Sequence, residues 1–185
     1  MKEQGTQTNY LFSNQDLKRL ILPLLVEQLL AITVGMADSI MVSSVGEAAV
    51  SGVSLVDTIF VLLINIFTAL ATGGAVVCGQ YLGKKRPEQA CKAADQLVLA
   101  TCGLSILVMA LMYLLRTFIL NVVFGHIEQD VWNNCNTYFL IVSASIPFIS
   151  MYNAGAAIFR AQGDSKTPMK MSLIMNVINI IGNGI

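Results

Sequence analysis

The sequence predicts an all-α polytopic membrane protein, and its composition and charge pattern are the reasons. Of its 185 residues, 55% are apolar and 12% are charged, which is about half the charged share of a soluble protein. The charges fall between apolar stretches that carry few or none. A hydrocarbon core about 30 Å thick needs roughly 20 helical residues, and lipid cannot satisfy exposed backbone groups. The apolar stretches are therefore predicted to be transmembrane helices.

Five predicted spans follow one another with short polar connections. They cover residues 20–42, 48–83, 97–115, 137–159 and 169–185. The fifth stretch is still apolar at Ile185, so we expect the chain to be the N-terminal part of a longer protein. Residues 1–19 are mostly polar and lack the basic stretch and cleavage site of a secretory signal. They are predicted to form a cytoplasmic N-terminal segment.

The cationic side chains predict the orientation in the membrane. Ten of the eleven Lys and Arg residues precede the first span, lie in the second-to-third or fourth-to-fifth connections, or, in the case of Lys170, stand at the start of the fifth span. Positive residues stay on the cytoplasmic side, so the N-terminus is expected inside, and the connections near Glu47 and at 116–136 outside. We expect a multi-pass protein of the plasma (inner) membrane. Eleven acidic residues balance the cations, which leaves no basic field for a nucleic-acid partner.

The connections on the cytoplasmic side share one pattern of turn residues. Gly83 with Pro87, and Gly163 with Pro168, each place a glycine before a proline. A glycine can end a helix in the left-handed conformation, and a proline can begin the next helix. On the outer side, Trp132 and Tyr138 are expected to be anchors in the aromatic belt.

The sequence predicts neither an enzyme nor a cofactor. Its four cysteines show no C-x-x-C spacing, which argues against a structural metal site or a disulfide framework. It contains no Gly-rich phosphate loop and no recognisable pairing of a nucleophile with a base.

Three carboxylates at membrane depth are the strongest functional candidates: Glu27, Asp38 and Asp57. A charge there costs from about 2.5 to 10 kcal/mol or more. Glu27 and Asp38 are eleven residues apart, and at about 100° per residue they share one helical face. That face must look into a bundle interior or a cavity, and Pro23 offers a kink near its inner end. For Glu27 and Asp57, extension of the side chain to the interface is the alternative.

Amide and hydroxyl side chains form two further stripes. Asn176, Asn179 and Asn183 fall at i, i+3 and i+7 of the fifth span. A carboxylate facing them could hold a proton or coordinate a small cation through oxygens. Alternatively, these amides only join helices, at about 0.6 to 2 kcal/mol each. In span two, Asn65, Thr68 and Thr72 could line the same cavity, although threonine hydroxyls can also bond their own helix backbone.

Several segments, in order, resemble the multidrug and toxic compound extrusion (MATE) transporters, within the superfamily that includes lipid-linked oligosaccharide flippases. Span one reads P-x14-D from Pro23 to Asp38 and continues SIMVSSVG. Span two closes with GQYLGKKRPEQA, similar to the family's Q-x-x-G turn. The most specific segment is FRAQGDSKTPM at 159–169, followed by an Asn-rich helix. The resemblance covers nearly the whole chain.

The resemblance implies twelve helices in two six-helix lobes, with this chain forming transmembrane helices 1 to 5 of the N-lobe beside a C-terminal lobe. It also implies secondary active efflux of amphipathic or cationic drugs and toxins, in exchange for protons or sodium ions, by alternating access. Asp38 matches the family's ion-linked aspartate and Asn179 its span-five asparagine. Asn183 departs from the pattern, because many members have an aspartate there. One carboxylate fewer should weaken cation binding.

We therefore expect a cofactor-free transporter surrounded by membrane lipids, with a transported proton or Na⁺ at Asp38 and Asn179. The expected site residues are Asp38, Asn179 and Asn183 for ion coupling, Gln28, Asn65, Thr68 and Asn176 for a substrate cavity, and Pro23 for a hinge. The alternatives are a lipid-linked precursor flippase of the same superfamily, a membrane-embedded enzyme and a structural subunit. A flippase would be expected to carry several cationic residues in a central cavity, and none occurs within these spans beyond Lys170 at the start of the fifth.

Overall fold

The computed structural model describes residues 14–125 and 128–183, except for the side chains of Asp16 and Asn183. All regular secondary structure among the described residues is helical, which confirms the all-α prediction. Its elements are α1 (Asn14–Ser43), α2 (Glu47–Gly83), α3 (Pro87–Phe118), a π-helical turn (Ile119–Val123), α4 (Gln129–Ala161) and α5 (Lys166–Asn183). Residues 1–13 of the predicted N-terminal segment lie outside the described residues, as do 184–185 of the fifth span.

Four of the described helices are long and apolar enough to cross a membrane: α1 from Leu17, α2, α3 with its π-helical turn, and α4. Each extends beyond its predicted span, most clearly α3, which begins ten residues before position 97. Hydropathy marks only the part of a helix that suits hydrocarbon, whereas the helix continues into the polar interface. The 18-residue α5 begins with two lysines in its first five residues, and its crossing of the membrane stays a prediction.

The helices pack as a three-helix unit and a pair. α2, α3 and α4 pack against one another, and α1 packs chiefly against α5. Contacts between the pair and the unit are sparse and run from α1 to α2 and from α5 to α4. Many large apolar side chains of the pair are exposed, including Leu29, Ile40 and Ile178. These surfaces suit lipid or another helix, and the core lies within the three-helix unit.

Aromatic packing fills the predicted outer half of that core. Phe60 of α2 and Phe139 of α4 meet edge to face, with ring centroids 5.8 Å apart and an interplanar angle of 78°. Met112 of α3 and Leu120 of the π-helical turn are buried in the same cluster. Such an aromatic pair is worth about 0.5–1.5 kcal/mol beyond the area it buries. The cluster fixes α2 against α4 at the depth where the polar cavity described below begins.

Small residues bring α2 and α4 close together. A Cβ on Gly52 would lie 3.1 Å from the backbone nitrogen of Cys135 and 3.4 Å from the carbonyl oxygen of Val131. The Cys135 thiol donates a hydrogen bond to the Gly52 carbonyl at 3.5 Å. Towards the other end, a second cluster contains only one large buried side chain; its buried members are Ala71, Ala75, Leu97, Ala154 and Ala157. The runs of small residues therefore serve close helix packing, as is usual in membranes.

Two helices end in the same hydrogen-bonded turn, but only one uses glycine. At the end of α4, Gly163 adopts φ 83°, and the Asp164 N–H donates to the Phe159 carbonyl at 3.0 Å. The prediction for Gly163 is confirmed. The prediction for Gly83 is wrong: α2 continues through it, and Lys85 adopts the left-handed conformation at φ 56°. The left-handed residue thus comes two positions later than expected. For a residue with a side chain, such as Lys85, this conformation costs about 1–2 kcal/mol.

Prolines occupy the first turns of the following helices. Pro87 is the first residue of α3, as predicted. Pro168 is the third residue of α5, where a missing N–H leaves no intrahelical bond unmade. α5 is capped by Asp164, whose Oδ1 accepts from the N–H groups of Lys166 at 3.0 Å and Thr167 at 3.1 Å. Its Oδ2 accepts from the Thr167 hydroxyl at 2.6 Å.

The Thr167 hydroxyl bond, followed by the Thr167 backbone bond, holds the pKa of Asp164 below its ordinary value, helped by the Lys166 N–H and the charge of Lys170. A lowered carboxyl pKa means that the charged form stabilises the fold above the ordinary pKa. This contribution is lost as pH falls through the lowered value.

We predict that Asp164→Asn, which keeps the capping shape but removes the charge, destabilises the protein at pH 7. The difference in thermal midpoint from wild type should shrink as the pH falls below about 4, because the carboxylate is protonated first in the unfolded chain and then, below its lowered pKa, in the folded protein. This difference is measured by thermal unfolding of the detergent-solubilised proteins at several pH values, with circular dichroism as the signal. A difference independent of pH would show that the charge contributes nothing.

We also predict that Gly52→Ala destabilises the protein by about 1–3 kcal/mol, because the new methyl group would press on α4 backbone that cannot move alone. Gly103→Ala is the matched control, since a Cβ there meets nothing within 4 Å. The control should be neutral or stabilised by up to about 1 kcal/mol through helix propensity. Denaturant unfolding of both variants compares them, and equal stabilities would contradict the close approach.

Candidate functional site

A cavity of about 550 Å³ opens between α1, α2, α4 and α5, at the predicted outer end of the bundle. Gly35, Asp38, Ser39, Met41, Val42, Val45, Val50, Val53, Ser54, Asp57, Tyr138 and Asn179 line it. Asp38 and Asn179, two residues predicted for ion coupling, thus line the same cavity from different helices. Both are partly buried. α1 places Asp38 on the inward face, as its spacing from Glu27 predicted.

The cavity contains a second carboxylate, Asp57 of α2. The Tyr138 hydroxyl of α4 donates a hydrogen bond to Asp57 Oδ1 at 2.8 Å. Both side chains are half-buried, so the carboxylate is directed to a neighbouring helix. The expectation that Tyr138 is an interfacial anchor is therefore wrong. Its aromatic ring packs against the core beside Phe139, and its polar end serves the cavity.

The chemistry of the lining suits positive charge. It combines two carboxylates, a phenol, a carboxamide and two serine hydroxyls with apolar walls, and it includes no Lys, Arg or His. Carboxylate and amide oxygens are the ligands that hard cations prefer. In the part of the chain that the structure describes, no group of three or more His, Cys, Asp or Glu residues is placed to hold a metal ion. The lining therefore offers oxygen atoms as ligands for a positive charge.

Glu27 lies in a different environment, at the predicted cytoplasmic end. Arg160 Nη2 donates to its Oε1 at 2.8 Å and its Oε2 at 2.7 Å. The two side chains are only 15% and 33% exposed, for Glu27 and Arg160 respectively. The Tyr152 hydroxyl lies 3.2 Å from Glu27 Oε1 and 3.5 Å from the carbonyl oxygen of Pro168, so its proton has two possible acceptors.

These contacts join helices that otherwise stay apart. Among the described residues, the backbones of α1 and α4 do not pack directly against each other. The Glu27–Arg160 pair bridges that gap, and Tyr152 extends the link to the first turn of α5. Glu27 is neutralised by a cation and therefore does not resemble an ion-coupling residue.

The four residues predicted for a substrate cavity do not line the cavity described above. Gln28 and Asn65 are exposed. The Thr68 hydroxyl donates to its own helix at the Ile64 carbonyl at 2.8 Å, and accepts from Asn153 Nδ2 at 3.4 Å. Asn176 is half-buried, and its Nδ2 has no partner among the described residues. Their role in binding substrate stays a prediction.

Two further predictions also remain open. α1 is helical through Pro23, which is buried, so the hinge stays a prediction. Asn183 is the last residue of α5, and its side chain lies outside the described residues. Sequence reasoning missed Tyr138, Tyr152 and Arg160, and only Arg160 left a signal. It follows span four by one residue, at a depth where it can meet an acid near the inner end of span one.

Comparison with known proteins agrees with this architecture. The family model MatE matches residues 23–185. The chain belongs to the MatE family. It is 28% identical over 184 residues to the uncharacterized transporter YisQ of Bacillus subtilis, covering 99% of this chain and 38% of that protein. It is 31% identical to the probable multidrug resistance protein YoeA of the same organism, covering 73% and 29% respectively.

A third relative of this MatE chain, and two solved structures, extend the comparison. The probable multidrug resistance protein NorM of Thermotoga maritima is 24% identical, with 90% of this chain and 35% of NorM covered. A MOP superfamily transporter from Pyrococcus furiosus superimposes with a TM-score of 0.84 at 19% identity. An outward-facing MATE family multidrug resistance transporter superimposes with a TM-score of 0.84, also at 19% identity. Both superpositions cover 91% of this chain and 37% of the solved one.

The comparison confirms the MATE resemblance and the fold, which is that of a MATE N-lobe in a multi-pass membrane protein. The chain spans between 29% and 38% of the length of the three relatives. All three are named as transporters or multidrug resistance proteins. The family is therefore one of transporters rather than enzymes.

We predict that Glu27 and Arg160 stabilise the fold together. A double-mutant cycle compares Glu27→Gln, Arg160→Gln and the double variant. The coupling free energy should be on the order of 2 kcal/mol, which is between the values typical of exposed and of buried ion pairs. The exposed contact between Arg86 and Gln89, at 3.5 Å, is the control and should couple by less than about 0.5 kcal/mol. Denaturant unfolding gives both values. Additive effects at Glu27 and Arg160 would contradict the bridge.

Proposed function

We propose that this chain is the N-lobe part of a secondary active multidrug efflux transporter. The protein would export amphipathic or cationic small molecules in exchange for protons or sodium ions, by alternating access. The supporting observation is the cavity in which Asp38 and Asn179 come together from α1 and α5. The names of the relatives YoeA and NorM support drug export. The remaining lobe would complete the substrate pathway.

The energetic basis of the proposed coupling is the cost of a carboxylate at membrane depth. That cost falls when a proton or a cation binds, so the bound ion favours whichever conformation desolvates Asp38 more strongly. An ion gradient then shifts the population between an outward-open and an inward-open state. Only a difference in ion affinity between the two states can do this. Expulsion of substrate would follow from shrinkage of the cavity around the neutralised carboxylate.

The packing supplies moving parts for such a cycle. α1 and α5 contact the three-helix unit only sparsely, and the cavity lies at the boundary between the two groups of helices. Movement of the pair would change the cavity without disturbing the aromatic core of α2, α3 and α4. Pro23 is the proposed hinge of α1, because a proline removes one backbone hydrogen bond from the helix.

The proposed orientation places the N-terminus in the cytoplasm and the cavity towards the outside of the plasma (inner) membrane. The charge distribution supports it, since the cationic connections lie at the end opposite the cavity. The flippase alternative gains no support from the cavity, because its lining carries no cationic side chain to receive a pyrophosphate.

We predict that Asp38→Asn lowers gradient-driven export by the full-length protein by about ten-fold or more, because the variant cannot exchange a proton or cation. Proteoliposomes loaded with a fluorescent organic cation, and driven by a pH gradient or a Na⁺ gradient in turn, measure export and show which ion couples. Ser39→Ala is the control, since Ser39 lines the same cavity but bonds only its own helix at Gly35. Undiminished export by folded Asp38→Asn under a saturating gradient would overturn the proposal.

A further inference from the structure

We propose that Asp57 of α2 is a second ion-coupling residue, so that each transport cycle moves two positive charges through the cavity it shares with Asp38. This inference rests on the proposed function and adds to it a residue and a stoichiometry. The sequence alone left Asp57 between a functional role and extension to the interface. The structure favours the first, for the reasons that follow.

The position of Asp57 is the first reason. It lies ten residues into α2, about 15 Å along the helix, and lines the 550 Å³ cavity together with Asp38. It is half-buried, and its hydrogen bond to Tyr138 directs it towards α4 within the bundle. A carboxylate that only needed hydration would be expected to extend to the interface. Asp57 instead forms part of a shared polar wall.

The hydrogen-bond partner of Asp57 is the second reason. Tyr138 is a neutral donor, and its bond at 2.8 Å fixes one carboxylate oxygen without cancelling the charge. Glu27 offers a contrast within the same chain, because Arg160 neutralises it directly. In the described part of the chain, no Lys or Arg forms an ion pair with Asp57. Among the described residues, no cationic side chain therefore occupies the Asp57 carboxylate, whereas Arg160 occupies that of Glu27.

The coupling between the two carboxylates is the third reason. Two negative charges that line one cavity repel each other more strongly than in water, since the walls have a low dielectric constant. A proton or cation bound at one of the two carboxylates would weaken this repulsion. The titratable groups that face the cavity are Asp38 from α1, Asp57 from α2 and Tyr138 from α4; α5 contributes only the neutral Asn179. No lining residue supplies a competing positive charge.

The charge balance of the proposed step is simple. Two positive charges enter from the outer solution, one to an oxygen of Asp38 and one to an oxygen of Asp57, and both leave to the cytoplasm. No bond other than those to the transported ions is made or broken. Tyr138 acts as a positioning residue, because it orients Asp57 and keeps its own proton.

The test is the ratio of charge to substrate in proteoliposomes containing the full-length protein. The ratio is obtained at zero membrane potential, from the concentration gradient of a monovalent fluorescent cation at which its net flux stops under a fixed pH or Na⁺ gradient. Two coupled charges sustain the square of the gradient that one coupled charge sustains. We expect Asp57→Asn to lower the number of coupled charges from two to one, and Asp57→Glu to restore two. Tyr138→Phe should keep the number at two while slowing export, since the carboxylate remains. Thr58→Ala, next to Asp57 on α2 but outside the cavity lining, should leave both the ratio and the rate unchanged, since the Thr58 hydroxyl bonds its own helix at the Ser54 carbonyl.

Each alternative gives a distinct result. An unchanged ratio in Asp57→Asn would overturn the inference and leave Asp38 as the only coupling residue of the cavity. A lowered thermal midpoint in Asp57→Asn, matched by Tyr138→Phe and accompanied by an unchanged ratio, would assign Asp57 a purely structural role. If Asp57→Asn does not fold, a wild-type ratio of one charge would overturn the inference by itself. Failure of the proposed function differs again, because the wild type would then export nothing under either gradient.

Discussion

Three carboxylates at membrane depth constrain how these helices can be arranged. Glu27 meets a guanidinium from α4, Asp57 meets a phenol from α4, and Asp38 faces the cavity at the boundary of α1 and α5. Because a bare charge in hydrocarbon is costly, each solution limits where the neighbouring helix can lie. α4 provides the partner twice, at opposite ends of its length. It is therefore the helix against which both α1 and α2 are positioned by their carboxylates.

The two groups of helices differ in what holds them together. The three-helix unit has an aromatic core and a close contact of backbones at Gly52, both of which resist change because interiors are densely packed. The α1–α5 pair is joined to it by sparse helix packing and by the polar contacts of Arg160 and Tyr152, and polar contacts can be exchanged for others of similar energy. In a MATE N-lobe built in this way, the three-helix unit is rigid and the α1–α5 pair can shift against it. The polar cavity lies between these two groups of helices.

The sequence could predict those features that local patterns determine. Helix order follows from hydropathy, the inward face of Asp38 follows from periodicity, and the turn at Gly163 follows from glycine chemistry. Contacts between distant helices have no such local pattern, so the partners Tyr138 and Arg160 were missed. The error at Gly83 has a related cause, because the end of α2 depends on which residue the whole turn places in the left-handed conformation. Here that residue is Lys85.

The Tyr152 hydroxyl connects features that lie far apart in the chain. It sits between Glu27 of α1 and the Pro168 carbonyl of α5, so one point on α4 contacts the middle of α1 and the first turn of α5. When α1 tilts about this contact, residues farther along the helix are displaced more than residues near it. Asp38 is eleven residues from Glu27, a lever arm of about 16 Å along α1. A tilt of the pair by a few degrees about Tyr152 would therefore displace the cavity wall by about an ångström. The contacts of the Tyr152 hydroxyl with Glu27 and Pro168 would lengthen much less.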